Sequence, residues 1–249
     1  MLTVLVASSK GGCGKSTLVT QLASHWAQDG KRTAIIDADR QGSSHRWAAQ
    51  RPDNVPGVLA MEGSRKAVEK APHDTERLLI DTPAGSHERE LEPYLEHADV
   101  LLVPVLPSSF DLDATLGFLA HLQGIGRIKR GKLPVALVGN RLKPWTHASQ
   151  DAVAQLAEHA PFPVVAQLRD SQAYVLLTAL GKGIFDYASE QVRSHQQDWA
   201  PLLRWIKRAD GRIEALDHIG QVEMQPGDVF VINTPGGGGY GAPERGKAG

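Results

Sequence analysis

The sequence predicts an α/β protein with a doubly wound, mostly parallel sheet, and three features carry that expectation. Short apolar runs bounded by loop residues recur at 2–7, 33–36, 78–80, 100–105, 135–138 and 164–166. Continuous runs of that length suit strands buried on both faces of a parallel sheet. Amphipathic stretches at 18–28, 113–123, 148–158 and 191–208 alternate with them, giving the βαβ rhythm of the fold. The first run leads directly into a glycine-rich segment, residues 9–17, Ser-Lys-Gly-Gly-Cys-Gly-Lys-Ser-Thr. Ligands of such folds sit outside the carboxyl ends of the strands, so a site is expected there.

Taken in order, the run 2–7 is the first strand, and Gly11, Gly12, Cys13 and Gly14 make the turn into the first helix. A strand, a glycine-rich turn and Lys15-Ser16-Thr17 opening a helix form a phosphate cradle, because small residues let backbone N–H groups close on the anion. Lys15 would reach the β- and γ-phosphates, and the Ser16 hydroxyl would ligate Mg²⁺. The general spacing has glycine where this chain has Ser9, and a second lysine, Lys10, precedes Gly11. Cys13 is the single cysteine, which excludes an intramolecular disulfide and reads as a small filler of the loop. The second run ends in Asp37-Ala38-Asp39, the third in Asp81-Thr82-Pro83-Ala84-Gly85. Carboxylates at the ends of buried strands are costly without a cation or donors nearby. Beside a phosphate loop they would hold Mg²⁺ through its waters; alternatively they cap the helices that follow.

The Lys-Gly-Gly-x-Gly-Lys-Ser form of residues 10–16 resembles the deviant Walker A box of the ParA/MinD family of P-loop ATPases. The segment Asp37-Ala38-Asp39-Arg40-Gln41-Gly42 is similar to the family's Asp-x-Asp-Pro-Gln-Gly, with Arg40 in place of proline, and 78–85 resembles its Walker B strand. Val138-Gly139-Asn140-Arg141 resembles its adenine-recognition strand end, and 168–185 its nucleotide-facing loop and dimer region. The resemblance spans 1–208 and is to the small ParA type. It implies a P-loop NTPase domain, the cofactors ATP and Mg²⁺, and slow, partner-stimulated hydrolysis by a homodimer that forms on ATP. It further implies that Lys15 acts on the phosphates in cis and Lys10 on those of the partner subunit. Asp39 would polarise the attacking water, Asp37, Asp81 and Ser16 would serve the Mg²⁺, and Asn140, with Arg141 beside it, would read the base. Hydrolysis of that kind works by positioning and charge stabilisation.

The ATP state of ParA-like proteins holds nonspecific DNA, which needs cations near phosphates. Two stretches qualify: 127–143, with Arg127, Lys129, Arg130, Lys132, Arg141 and Lys143 and no acid, and the last helix, with Arg193, Arg204, Lys207 and Arg208. The expected role is then partition or positioning of a plasmid, chromosome region or protein cargo, with a ParB-like or cargo adaptor as stimulating partner. A MinD-like membrane switch and a conjugation or transfer accessory ATPase are the alternatives. Trp199, Leu202, Leu203 and Ile206 fall on one helical face, which serves an interfacial helix or packs a terminal helix on its own domain. Too few cysteines are present for an iron–sulfur reductase of the same fold. The histidines show no metal spacing, and Trp47 and Trp145 read as packing or cleft residues.

The 249 residues carry 41% hydrophobic and 22% charged residues and a net charge of −1, the composition of an ordinary globular protein. No run reaches the ~18 apolar residues of a membrane span, and no signal peptide is evident, so a cytoplasmic location is expected, nucleoid-associated in the ATP state. Past residue 208 the composition shifts. Residues 209–249 hold ten of the 25 glycines and a net charge of −3, with a β-rich stretch at 222–233 and a Pro-Gly-Gly-Gly-Gly-Tyr-Gly run at 235–241. Residues 210–245 resemble the extreme C-terminus of the hydantoinase B/oxoprolinase family, too short a piece to carry that enzyme's active site. The expected organisation is a 1–208 ATPase domain and a 209–249 β/Gly-rich C-terminal extension.

Overall fold

The computed structural model describes residues 1–86, 88–107, 109–143 and 145–209. The β/Gly-rich extension, 222–233 and the tetraglycine run included, lies outside the described residues, as does the side chain of Arg208. In chain order the elements are β1 (Leu2–Val6), α1 (Lys15–Gln28), β2 (Thr33–Asp37), α2 (Ser43–Ala49), β3 (Leu59–Glu62), β4 (Arg77–Asp81), α3 (Glu88–Leu95), β5 (Val100–Val105) and α4 (Ser109–Gly124). There follow the short α5 (Gly126–Lys129), β6 (Val135–Leu142), α6 (His147–His159), β7 (Val164–Arg169), α7 (Gln172–Ala179), a 3₁₀ turn (Ile184–Asp186) and α8 (Glu190–Ala209).

The seven strands form one sheet in the order β3-β2-β4-β1-β5-β6-β7, and every pair is parallel. The fold is the expected doubly wound, parallel α/β architecture. Strand side chains alternate between the two faces. Leu2, Val4, Val6, Ile35, Leu79 and Leu102 face α1 and α8, where Leu18, Leu22, Trp199 and Leu202 cover them. Leu5, Ile36, Leu78, Ile80 and Leu101 face α3, α4 and α6, where Leu91, Leu119 and Leu156 cover them. The chain winds to β2 and β3 on one side of β1 and to β5, β6 and β7 on the other. That reversal sets the loop after β1 at the switch point where such folds bind ligands.

Six elements lie outside the segments legible in the sequence: α2, β3, α3, the short α5, α7 and the 3₁₀ turn. β3 is a four-residue edge strand with Leu59 47% exposed, so it is not the continuous apolar run of a central strand. α7 leaves Val175 and Leu176 exposed and lacks an amphipathic pattern. α1 begins at Lys15, ahead of the apolar stretch at 18–28, and β6 runs on through Asn140 and Arg141 to Leu142.

Candidate functional site

The loop between β1 and α1 turns through Gly12 (φ +74°) and Gly14 (φ +95°). A Cβ on Gly14 would lie 2.1 Å from Asn140 Nδ2, so conformation and space both require glycine there. Gly14 offers no side chain to cap α1, and the first turn of α1 carries no acid. Its leading N–H groups and the helix dipole therefore favour an anion in front of the loop. Lys15 is only 7% exposed, with Nζ 3.1 Å from Ser8 Oγ and 3.5 Å from the Lys10 carbonyl. The Cys13 thiol donates to the same Ser8 Oγ at 2.9 Å, and the Ser8 hydroxyl donates to the Lys10 carbonyl at 2.8 Å. Asn140 braces the loop from β6: Nδ2 donates to the Cys13 carbonyl at 2.8 Å, while Oδ1 accepts the Arg141 N–H at 2.9 Å. Arg141 is the one non-glycine residue with positive φ (54°) among the described residues, and its Nε lies 3.7 Å from an Asp170 carboxylate oxygen.

The sheet register sets Asp37 beside Asp81, and Asp81 beside Val6 at the end of β1. Their surroundings differ. Asp37 accepts the Asp39 N–H at Oδ1 (3.1 Å) and the His45 N–H at Oδ2 (2.9 Å). It thereby satisfies an amide in the first turn of α2, as the capping alternative asks. Asp39, half-buried, accepts the Gln41 N–H at 3.0 Å. Asp81 is 1% exposed, and neither of its oxygens has a hydrogen-bond partner of normal length among the described residues. It caps nothing there. Burial pushes its carboxyl up to about 6, and the Asp37 charge adds to this, while the nearby Ser16 and Ser44 hydroxyls and Lys15 pull it back.

The Ser44 hydroxyl, at the start of α2, is buried beside Asp81 and likewise closes no hydrogen bond of normal geometry. Orphaned buried groups of this kind call for a missing partner. A carboxylate and a hydroxyl left open beside the lysine and serine of a phosphate loop fit a hydrated divalent cation. Among the described residues no group of three or more His, Cys, Asp or Glu is placed to hold a metal ion.

The family model of the CobQ/CobB/MinD/ParA nucleotide binding domain matches residues 4–183, the stretch that builds this loop and both strand-end acids. The chain belongs to that family. The maintenance of carboxysome distribution protein A of Halothiobacillus neapolitanus is 30% identical over 162 residues, covering 62% of this chain and 74% of the relative. Protein ParA of Rhizobium radiobacter is 29% identical over 199 residues, 77% of this chain and 88% of the relative. Among solved structures, the septum site-determining protein MinD of Pyrococcus horikoshii, complexed with Mg-ADP, superposes with a TM-score of 0.62 at 14% identity, covering 84% of this chain and 97% of that one. A second model, Hydantoinase B/oxoprolinase, matches residues 184–243. Its match begins inside the nucleotide-binding domain, for Ile184 and Trp199 are fully buried in the core.

For this ParA/MinD-family chain, the structure brings Gly11 to Thr17, Asp37, Asp39, Asp81, Asn140 and Arg141 to the carboxyl ends of β1, β2, β4 and β6. The basic stretch at 127–143 does not form one patch. Arg127 donates to the carbonyls of Leu95, Glu96 and Ala98, and Lys129, Arg130 and Lys132 precede β6, whereas Arg141 and Lys143 end it. An eight-residue strand, about 25 Å long, separates the two groups. On α8 the apolar stripe is spent on the domain core, with Trp199, Leu202 and Ile206 buried. Arg204 and Lys207 are exposed, and Arg193 pairs with Glu190 at 3.1 Å. Among the described residues no helix is long and apolar enough to cross a membrane. Sequence reasoning passed over Ser8 and Ser44. Ser8 meets Lys10, Cys13 and Lys15 within its own loop, whereas Ser44 takes its meaning from Asp81 on a distant strand, which no spacing signals.

Proposed function

We propose that the chain is a Mg²⁺-dependent ATPase that dimerises on ATP and, in that state, binds DNA nonspecifically to position a cargo. The observation that carries the reading is Asp81, a buried carboxylate that closes no hydrogen bond of normal geometry and faces the Lys15 and Ser16 of a phosphate loop. Lys15 leaves Ser8 for the β- and γ-phosphates, and the amides of residues 11–17 hold the phosphate oxygens. Ser16, Asp37 and Asp81 hold the Mg²⁺, which, when bound, neutralises charge developing on the phosphates. Asp39 orients the attacking water, Lys10 reaches the nucleotide of the partner subunit, and Asn140 with Arg141 serves the base. Hydrolysis is slow until a ParB-like or cargo adaptor stimulates it, and it releases the dimer from DNA. Arg193, Arg204, Lys207 and Arg208 on α8 are the DNA contacts. The burial of that helix's apolar stripe supports DNA over a membrane surface. The ATPase domain closes at 208, and residues 209–249 form an appendage without hydantoinase activity.

The test is binding of the full chain to arbitrary duplex DNA with Mg-ATP, with Mg-ADP and without nucleotide, across a salt series. ATP-dependent binding with a steep salt slope is the expected result. Absence of DNA binding while ATP binding persists would move the switch to a membrane or protein surface. In Asp39→Ala, nucleotide binding is retained and hydrolysis lost; turnover at the parental rate would remove Asp39 from its role.

A further inference from the structure

The carboxyl-terminal ends of three helices meet at one buried ion pair that takes no part in the chemistry above. Arg51, just past α2, makes two parallel hydrogen bonds to Asp186, Nη2 to Oδ1 at 3.0 Å and Nη1 to Oδ2 at 3.1 Å, with side chains 2% and 0% exposed. Gln28, the last residue of α1, donates Nε2 to Asp186 Oδ1 at 2.8 Å. The segment after α7 closes on the same pair. The Gly183 N–H donates to Asp186 Oδ2 at 2.7 Å, and Arg51 Nη1 donates to the Gly181 carbonyl at 3.3 Å. The Trp47 ring of α2 lies 4.7 Å from the Arg51 guanidinium, and its Nε1 donates to the Lys182 carbonyl at 3.1 Å. A Cβ on Gly181 would sit 2.4 Å from the Gln50 carbonyl oxygen, so the two segments meet backbone to backbone.

The opposite ends of these helices all lie at the nucleotide site. α1 opens with Lys15 and Ser16. α2 opens with Ser44 beside Asp81 and the His45 N–H on Asp37. α7 follows Asp170, which faces Arg141. With seven residues, α2 is about 10 Å long, a rigid link in which movement of the tail displaces the amide that holds Asp37. A buried ion pair adds little net stability over apolar side chains of the same volume, so its use here points to geometry.

We propose that Arg51 and Asp186 are positioning residues for the metal site: they lock the tail of α2 against α1 and the segment 181–186, and so fix the spacing of Asp37, Ser44 and Asp81. The inference rests on the Mg-nucleotide reading above. It is tested by titrating Mg²⁺ into a fluorescent ADP analogue bound by the full chain, below the melting temperature of each variant, with a parallel series in EDTA. Asp186→Asn, Arg51→Lys and the double variant Arg51→Met/Asp186→Leu are compared with the parent. Half-saturating Mg²⁺ rises about tenfold or more in all three, while affinity in EDTA stays near the parental value because the phosphate loop is untouched.

The double variant removes the buried charges and recovers the melting temperature. If it recovers the parental Mg²⁺ dependence as well, the pair is merely structural and the inference falls. Unchanged Mg²⁺ dependence in the single variants overturns it too, as do equal losses with and without Mg²⁺. Where a single variant does not fold, the double variant decides. A parent that binds the analogue with no response to Mg²⁺ refutes the metal reading instead.

Discussion

At the carboxyl end of β4, Asp81 is 1% exposed and leaves both oxygens without a partner among the described residues. At the far ends of α1 and α2, the Asp186 side chain is also covered but accepts hydrogen bonds from Arg51, Gln28 and the Gly183 N–H. The consequences are opposite. Burial drives the Asp81 carboxyl up to about 6, with too little nearby to oppose it. Burial acts on Asp186 too, yet the hydrogen bonds from Arg51, Gln28 and Gly183 outweigh it and hold that carboxyl below the ordinary carboxylate range. A satisfied buried charge belongs to the fold, whereas an unsatisfied one marks the place of a ligand. Location in the core therefore says less about function than hydrogen-bond accounting does.

The largest effect is expected at the open pole. Lys15→Ala removes the cation that the loop encloses, and nucleotide affinity falls on the order of a hundredfold or more, as a loss of 2–5 kcal/mol implies. Equilibrium binding of an ADP analogue measures it, and a modest loss would show that the loop amides alone carry the phosphates.

At the closed pole, Asp186→Asn leaves the Arg51 guanidinium buried without its counter-charge, at a cost of about 3–5 kcal/mol in denaturant unfolding. Asp81→Asn goes the other way. Without ligand it stabilises the chain, on the order of 1–3 kcal/mol at pH 7, because it removes a charge whose burial is uncompensated. In the same variant the Mg²⁺ response of nucleotide binding is lost. If both asparagine variants shifted unfolding in the same direction, the contrast between the poles would fail.

The two acids also separate in pH. The native pKa of Asp81, about 6, lies above its usual value of 3.8. Its protonation favours the folded state, a contribution fully present below pH 3.8 and lost as pH rises through about 6. The ligand-free melting temperature therefore gains from Asp81 as pH drops from 7 towards 4, while Mg-nucleotide affinity weakens below about pH 6. The native pKa of Asp186 lies below its usual value, so its contribution is present above the ordinary carboxylate pKa and lost as pH falls through the lower native one. Thermal melts of the parent and Asp81→Asn across this range distinguish the two. The smallest effect is on the surface. Arg193, in an exposed pair with Glu190, is replaceable by alanine within about 0.5 kcal/mol of stability. If it contacts DNA phosphate, the same change lowers the salt slope of binding by about one.

Local chemistry determined the phosphate loop. Glycines at 11, 12 and 14, a lysine and a serine at fixed spacing after an apolar run specify a phosphate cradle wherever they fold. The same holds for the central strands, whose unbroken apolar runs can be buried only between two layers of helices. Asp37, Asp39 and Asp81 were legible because each ends such a run. Which of them caps a helix and which stays open was not legible, since it depends on the register that sets Asp37 against Asp81 and on the amide of His45. The basic stretch at 127–143 looked continuous in sequence, and β6 carries its halves to opposite ends of the sheet. Ser44, Arg51 and Asp186 were silent for the same reason: 135 positions separate Arg51 from Asp186, and their chemistry exists only once the chain has brought them together. Sequence by itself determined the fold and the loop, because those follow from local pattern. Tertiary structure alone decided which buried charges are satisfied, because that depends on contacts between residues far apart in the chain.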